Sequence, residues 1–207
     1  MKGIQGLDAN LVLTALIARF ENMRPIWAAT TLASFGQEMF ADWGVPLLDE
    51  YLMIQAKLQG KQVHGVERPD EQCNLFNDMD TDLAIFALNE TLSELELLRL
   101  GKVKENSHMK SAERYRQGTL DTTTKFFRHM YDKNASNAMV QKMEEFDTEI
   151  LEKRNKRMVA RIIELLREKP DAYFFALGVA HFIGEYNIPD MMRSAGFEVD
   201  HIGDITP

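Results

Sequence analysis

The stretch FFALGVAHFIGEYNIPD (174–190) places an imidazole, His181, three residues beyond Gly178 in otherwise apolar chain. A second stretch, VERPDEQ (66–72), places Glu67 and Glu71 on either side of Pro69. Imidazole and carboxylate together suit Mn, Fe, Co or Zn. A divalent ion held this way makes hydroxide available near neutral pH, and a nearby carboxylate can then move protons. The chemistry these residue types allow is therefore metal-assisted hydrolysis. His181 and Glu67 are the candidate ligands, and Glu71 is a base or a partner standing behind them. Gly178, Ala180 and Gly184 are small enough for a ligand or ion to approach the backbone. G-x-x-H alone is a weak signal: a histidine beside an apolar segment also fits a packed core, and ERPDE also reads as a solvated turn. Glu185 shares the loop of His181, but no spacing turns it inward. His64, His108, His129 and His201 read as structural or surface residues. There is no H-E-x-x-H, no G-x-S-x-G elbow and no P-loop.

Positioning these groups requires a scaffold. Leu151, Asn155, Met158, Ile162 and Leu165 follow a 4-3-4 rhythm and then three, the spacing of one buried helical stripe that ends before Pro170. Asn155 is polar on that apolar stripe, which is costly unless it is hydrogen-bonded. Arg154, Arg157 and Arg161 line a neighbouring face. AYFFALG (172–178) is apolar without alternation, as in a strand buried on both faces. Asn187 caps a helix over about 188–195, and FEVDHI (197–202) alternates as a strand, so strand, helix and strand predict a right-handed parallel crossover. KQVHGVE (61–67) reads as another strand ending at Glu67. In open α/β sheets, ligands bind beyond the carboxyl ends of strands, where Glu67 and His181 would both stand.

Upstream, Asp8 caps a helix over about 9–21, and Pro25 opens a second. Gly44 and Pro46 mark a turn before a helix that stops at Gly60. Residues 80–100 form the clearest helix, with Leu88, Leu92 and Leu95 on one face and Asn89, Ser93 and Glu96 toward water. The segment 101–149 is polar and the least legible. The fold class is α/β in the α+β sense and helix-rich: a small mixed or parallel sheet flanked by helices.

The chain has 207 residues, 45% hydrophobic and 27% charged, with a net charge of −8. That balance describes an ordinary globular protein and argues against nucleic acid as a partner. Cys73 is the single cysteine, so neither an internal disulfide nor a cysteine zinc knuckle can form. No run reaches the ~20 apolar residues of a membrane-crossing helix, and no signal peptide stands out in residues 1–20.

Taken in order, RPIW (24–27), GVPLLDEYL (44–52), VERPDEQCN (66–74), IFALNETL (85–92), KRNKRM (153–158) and FFALGVAHFIGE through GFEVDHI (174–202) closely resemble the TIKI family. These are metalloproteases of the wider TraB/GumN-like group. The similarity spans nearly the whole chain and is weakest at 102–148; E-x-x-x-E-Q-C and F-x-x-G-x-x-H-F-x-G carry most of it. The resemblance implies a protease dependent on Mn2+ or Co2+ that removes an amino-terminal piece from Wnt proteins and so restrains Wnt signalling. It implies the extracellular side of the cell membrane, where Asn89 and Asn134, each in an N-x-S/T triplet, would be glycan acceptors. By the same resemblance the second G-x-x-H histidine falls on His181. The acidic motif falls on Glu67 and Glu71 with Gln72 beside them, and the arginine–asparagine pair falls on Arg154 and Asn155. Asn155 is then expected to hydrogen-bond a site residue, and Arg154 to orient a carboxylate or a peptide carbonyl. The family pattern opens with a further G-x-x-H at the end of a first strand, which these residues lack. On this reading 1–207 is a single TIKI/TraB-like domain, its carboxyl-terminal two thirds, with first strands missing and 102–148 as a helical or loop insertion. Two other readings remain: a catalytically incomplete binding or decoy module, and a hydrolase of the wider group with another substrate.

Overall fold

A computed structural model describes residues 14, 17–38, 47–102, 135–169 and 171–200. The chain divides into two compact units, one of residues 1–41 with 79–107, the other of 42–78 with 108–207.

In the first unit, residues 17–21 are helical, and the rest of the helix expected over 9–21, apart from Thr14, lies outside the described residues. Helix α1 (Pro25–Glu38) starts at its proline, where a missing amide costs no hydrogen bond. It packs on a later helix, Thr81–Arg99 (α4), burying Ile26, Ala28 and Ala29 in one and Leu83 and Ala84 in the other. Asp80 caps α4 by accepting from the amides of Asp82 and Leu83. Gly101 ends it with φ 65°, a left-handed conformation that suits glycine. Asn89, Ser93 and Glu96 face water as their spacing predicts. Leu92, however, is exposed, because the inward face runs through Ala84, Leu88, Thr91, Leu95 and Leu98.

The second unit holds α2 (Leu48–Leu58), α3 (Pro69–Asn77) and α5 (Asn137–Asp147). A wide π-helical segment (Thr148–Lys153) joins α5 to α6 (Arg154–Glu168). A 3-10 turn (Val179–Phe182) and α7 (Ile188–Ser194) follow. The stripe of α6 faces inward as its rhythm predicts: Asn155, Met158 and Ile162 are buried, with Leu151 and Leu165 half-buried. Met158, Val159 and Ile162 form one core with Ile188 and Met192 of α7. Asn187 caps α7, accepting from the amide of Asp190 at 2.9 Å.

The expected sheet is not formed: the described residues contain no strand, so neither the mixed or parallel sheet nor the parallel crossover exists among them. No backbone hydrogen bond joins 61–67, 172–178 and 197–200 to one another. The physical reason lies in what satisfies their apolar side chains. Val66, Phe175, Leu177, Phe197 and Val199 each pack directly on the α6–α7 core, so burial is achieved without a hydrogen-bonded ladder. The run 172–178 is also not buried on both faces. Tyr173, Phe175 and Leu177 turn inward, while Phe174 is 80% exposed. The solid apolar run concealed a one-sided segment.

Candidate functional site

Helix α6 organises the site from three positions, Arg154, Asn155 and Arg161, all in the second unit. Arg154 grips Glu67 with a two-pronged pair, Nε to Oε1 at 2.8 Å and Nη2 to Oε2 at 2.6 Å. Its Nη1 also donates to the carbonyl of Ile150 in the π-helical segment, at 3.2 Å. About two turns further on, seven residues away, Arg161 grips Glu71 with a second two-pronged pair, through Nη1 at 2.7 Å and Nη2 at 2.6 Å, and donates to the carbonyl of Val66 at 3.0 Å. Two forks on one helix face thus fix both ends of the segment that carries the carboxylates. Planar guanidinium groups are suited to this, since each matches a carboxylate with parallel hydrogen bonds.

The two glutamates live in different surroundings. Glu67 is 7% exposed in its side chain and takes a further hydrogen bond from Gln72 Nε2 at 2.9 Å. Burial pushes its pKa up, but hydrogen bonds from Arg154 and Gln72 and the charge of Arg154 outweigh that and leave it below the ordinary value. Glu71 sits at the third position of α3 and reaches back to accept from the amide of Arg68 at 2.9 Å, half of a capping box. The hydrogen bonds from Arg161 and then from the Arg68 amide bring it down to about 2. A carboxylate held so low has little tendency to accept a proton at neutral pH. Arg157 lies on the same face, between the two forks. Its Nε is buried 4.0 Å from Glu71 Oε1 and has no hydrogen-bond partner.

His181 is buried in the 3-10 turn, and Asn155, 1% exposed, holds it. Nδ1 lies 2.5 Å from Asn155 Oδ1, while Asn155 Nδ2 donates to the carbonyl of Tyr186 at 3.0 Å. That carbonyl can only accept, so the amide orientation is set, and His181 Nδ1 must carry the proton. Nε2 keeps its lone pair and makes no hydrogen bond in the described structure. Burial, and then the positive charge of Arg154, lower the His181 pKa against the opposing pull of Glu67, so the ring is neutral at pH 7. Tyr186 presents its carbonyl from φ 57°, an unusual conformation for a residue with a side chain. Lys156 lies 4.4 Å over its ring.

All the residues singled out by type and spacing, Glu67, Glu71, Arg154, Asn155 and His181, are therefore joined to α6. Sequence reasoning missed Tyr186, because a main-chain carbonyl leaves no mark in the sequence. It also missed the pairing of Arg161 with Glu71, although the seven-residue step from Arg154 could have suggested it. Glu185 is exposed, and His64 is exposed with a 3.4 Å contact to Gln62; His108, His129 and His201 lie outside the described residues.

The fit of a divalent ion can be tested on the donors. His181 offers a neutral ring, a free Nε2 and an oriented Nδ1–H, as a metal-binding histidine requires. Glu67 has three hydrogen bonds on its two oxygens, which leaves about one of some four lone-pair positions open. Those are two donors, whereas a catalytic site commonly takes three from the protein. No group of three or more His, Cys, Asp or Glu suited to a metal occurs among the described residues.

A family model described as the TraB/PrgY/gumN family matches residues 5–201. The chain belongs to the TraB/PrgY/gumN family. Among curated relatives it is 32% identical to zebrafish (Danio rerio) Metalloprotease TIKI1 over 209 residues, 95% of this chain and 42% of that protein. It is 33% identical to Xenopus tropicalis Metalloprotease TIKI2 over 210 residues, 95% of this chain and 40% of the relative. Identity to human Metalloprotease TIKI1 is 33% over 208 residues, with 95% and 41% covered. The chain thus spans about two fifths of the length of these relatives. No solved structure matches it. In this TraB/PrgY/gumN-family chain the alignment with TIKI metalloproteases thus runs along 95% of the sequence, beyond the separate motifs. No helix among the described residues is long and apolar enough to cross a membrane.

Proposed function

We propose that this chain is part of a metal-dependent peptidase of the TIKI type. The observation that carries the reading is the Asn155–His181 pair: a buried, neutral imidazole whose Nε2 is left free, tied through α6 to the ionised Glu67. In this reading His181 Nε2 and the open position on Glu67 hold a divalent cation, Mn2+ or Co2+. The cation would supply an activated water and polarise a peptide carbonyl. Asn155 keeps the ring turned, and Arg154 keeps Glu67 ionised and in place. Glu71, held at about 2 by Arg161, serves as the carboxylate that fixes α3 on α6, and proton transfer falls to another group. A third metal donor would come from outside the described residues.

The substrate in this reading is the amino-terminal region of a Wnt protein, met on the extracellular side of the cell membrane. The support is that the relatives are named TIKI metalloproteases. Asn89, exposed on α4, and Asn134 would be glycan acceptors there. The two-donor set favours a second reading, a module that binds the same partner without cleaving it. Incubating the protein with a Wnt amino-terminal peptide and Mn2+, followed by mass spectrometry, separates the two. Cleavage lost in His181→Ala supports the peptidase; intact peptide retained on the protein supports the binding module.

A further inference from the structure

Helix α2 presents its apolar residues on the side away from its own fold. None of its residues is buried. Leu52, Gln55 and Ala56 are half-buried, whereas Leu47, Tyr51, Ile54 and Leu58 are exposed, reaching 75% at Leu58. Their 4-3-4 spacing is that of the seam along which one helix pairs with another. Leu48 and Met53, also exposed, widen the patch. An amphipathic helix ordinarily turns such a stripe inward, and a large exposed patch marks an interaction surface.

We propose that this face pairs with the same face of a second copy of the chain, the two α2 helices lying antiparallel about a two-fold axis. The seam reads the same in both directions. Reversing one helix against the other sets Leu47 opposite Leu58 and Tyr51 opposite Ile54. The flanking charges choose the partner and the direction. Glu50 and Lys57 are seven residues apart on the same flank of the stripe, and both are exposed. Antiparallel pairing brings Glu50 of one copy to Lys57 of the other, and the two-fold axis makes that contact twice. In a parallel pairing this flank would meet the opposite flank of the partner, setting Glu50 beside the uncharged Gln55 and leaving that attraction unmade. Antiparallel helix dipoles also favour the reversed arrangement. A self-complementary surface of this kind is what a two-fold interface requires.

The test is sedimentation velocity on the 207-residue protein from about 1 to about 200 µM, with dimerisation expected on the order of 10–100 µM for a contact of this small size. Ile54→Glu should be monomeric throughout, with unchanged far-UV circular dichroism, since the side chain is exposed. Glu50→Lys and Lys57→Glu should each weaken self-association about tenfold. An equimolar mixture of the two should associate again, and so should the double variant. A wild-type protein that stays monomeric, assembles beyond a dimer, or dimerises despite Ile54→Glu overturns the proposal. Dimers that survive both single charge variants overturn the antiparallel arrangement.

Discussion

Replacing Arg154 with alanine should be among the most damaging single changes in this protein. Glu67 and Arg154 are 7% and 15% exposed in their side chains and share two short hydrogen bonds. Removing the guanidinium leaves the carboxylate buried with only Gln72 as a polar partner and frees the carbonyl of Ile150. Breaking a buried pair from one side costs about 3–5 kcal/mol, chiefly for the stranded charge. Against a typical total of about 5–15 kcal/mol, that brings the fold near its limit. Removing both charges has a different consequence: the double variant Arg154→Met, Glu67→Leu should recover most of the loss, because neither charge then remains buried. Urea denaturation followed by far-UV circular dichroism, in chelator to exclude metal, on this double variant and on the single variants Arg154→Met and Glu67→Leu completes the double-mutant cycle. An Arg154→Ala cost below about 1 kcal/mol, or a double variant whose loss equals the sum of the singles, would refute the claim that this pair is buried and coupled.

Further outcomes follow from the same geometry. Asn155→Ala leaves His181 Nδ1 and the Tyr186 carbonyl unpaired and should cost about 2–4 kcal/mol by urea denaturation, whereas Asn155→Asp should raise the His181 pKa, read by NMR of the ring. Tyr186→Gly should be nearly neutral, since relief of the left-handed φ offsets the added chain entropy, while Tyr186→Val should lower the melting temperature. For pH, Glu67 and Glu71 have folded pKa values below their ordinary 4.5. Their contribution is complete above about 4.5 and is lost as pH falls toward the folded values, about 2 for Glu71. Glu71→Gln should therefore flatten the acid limb of a stability profile. His181 is lowered from 6.5, so folding also weakens as pH falls below 6.5 toward its folded value; His181→Gln removes that part of the slope.

The helical half of this architecture was legible because its signals are local. The stripe through Asn155, Met158 and Ile162, the caps Asp80 and Asn187, and the stops at Gly60 and Gly101 each act within a turn or two of chain. The need of Asn155 for a partner was legible for the same reason: one polar side chain on an apolar stripe demands a hydrogen bond, and His181 makes it. The sheet was misread because apolar runs such as AYFFALG fit a strand or an extended segment packed on a helix equally well. Only the presence of a pairing neighbour distinguishes them, and pairing is not written in one segment. The division of labour between the glutamates was equally hidden. Glu67 and Glu71 look alike in sequence, and what separates them is which arginine of α6 each one meets.

The central claim is that His181 and Glu67 hold a divalent cation. Isothermal titration of Mn2+ and Co2+ into the chelator-treated protein tests it most directly. One saturable site, lost in His181→Ala and weakened in Glu67→Gln while both variants keep their far-UV spectrum, is the result predicted. Absence of binding, or binding unchanged in both variants, would contradict it.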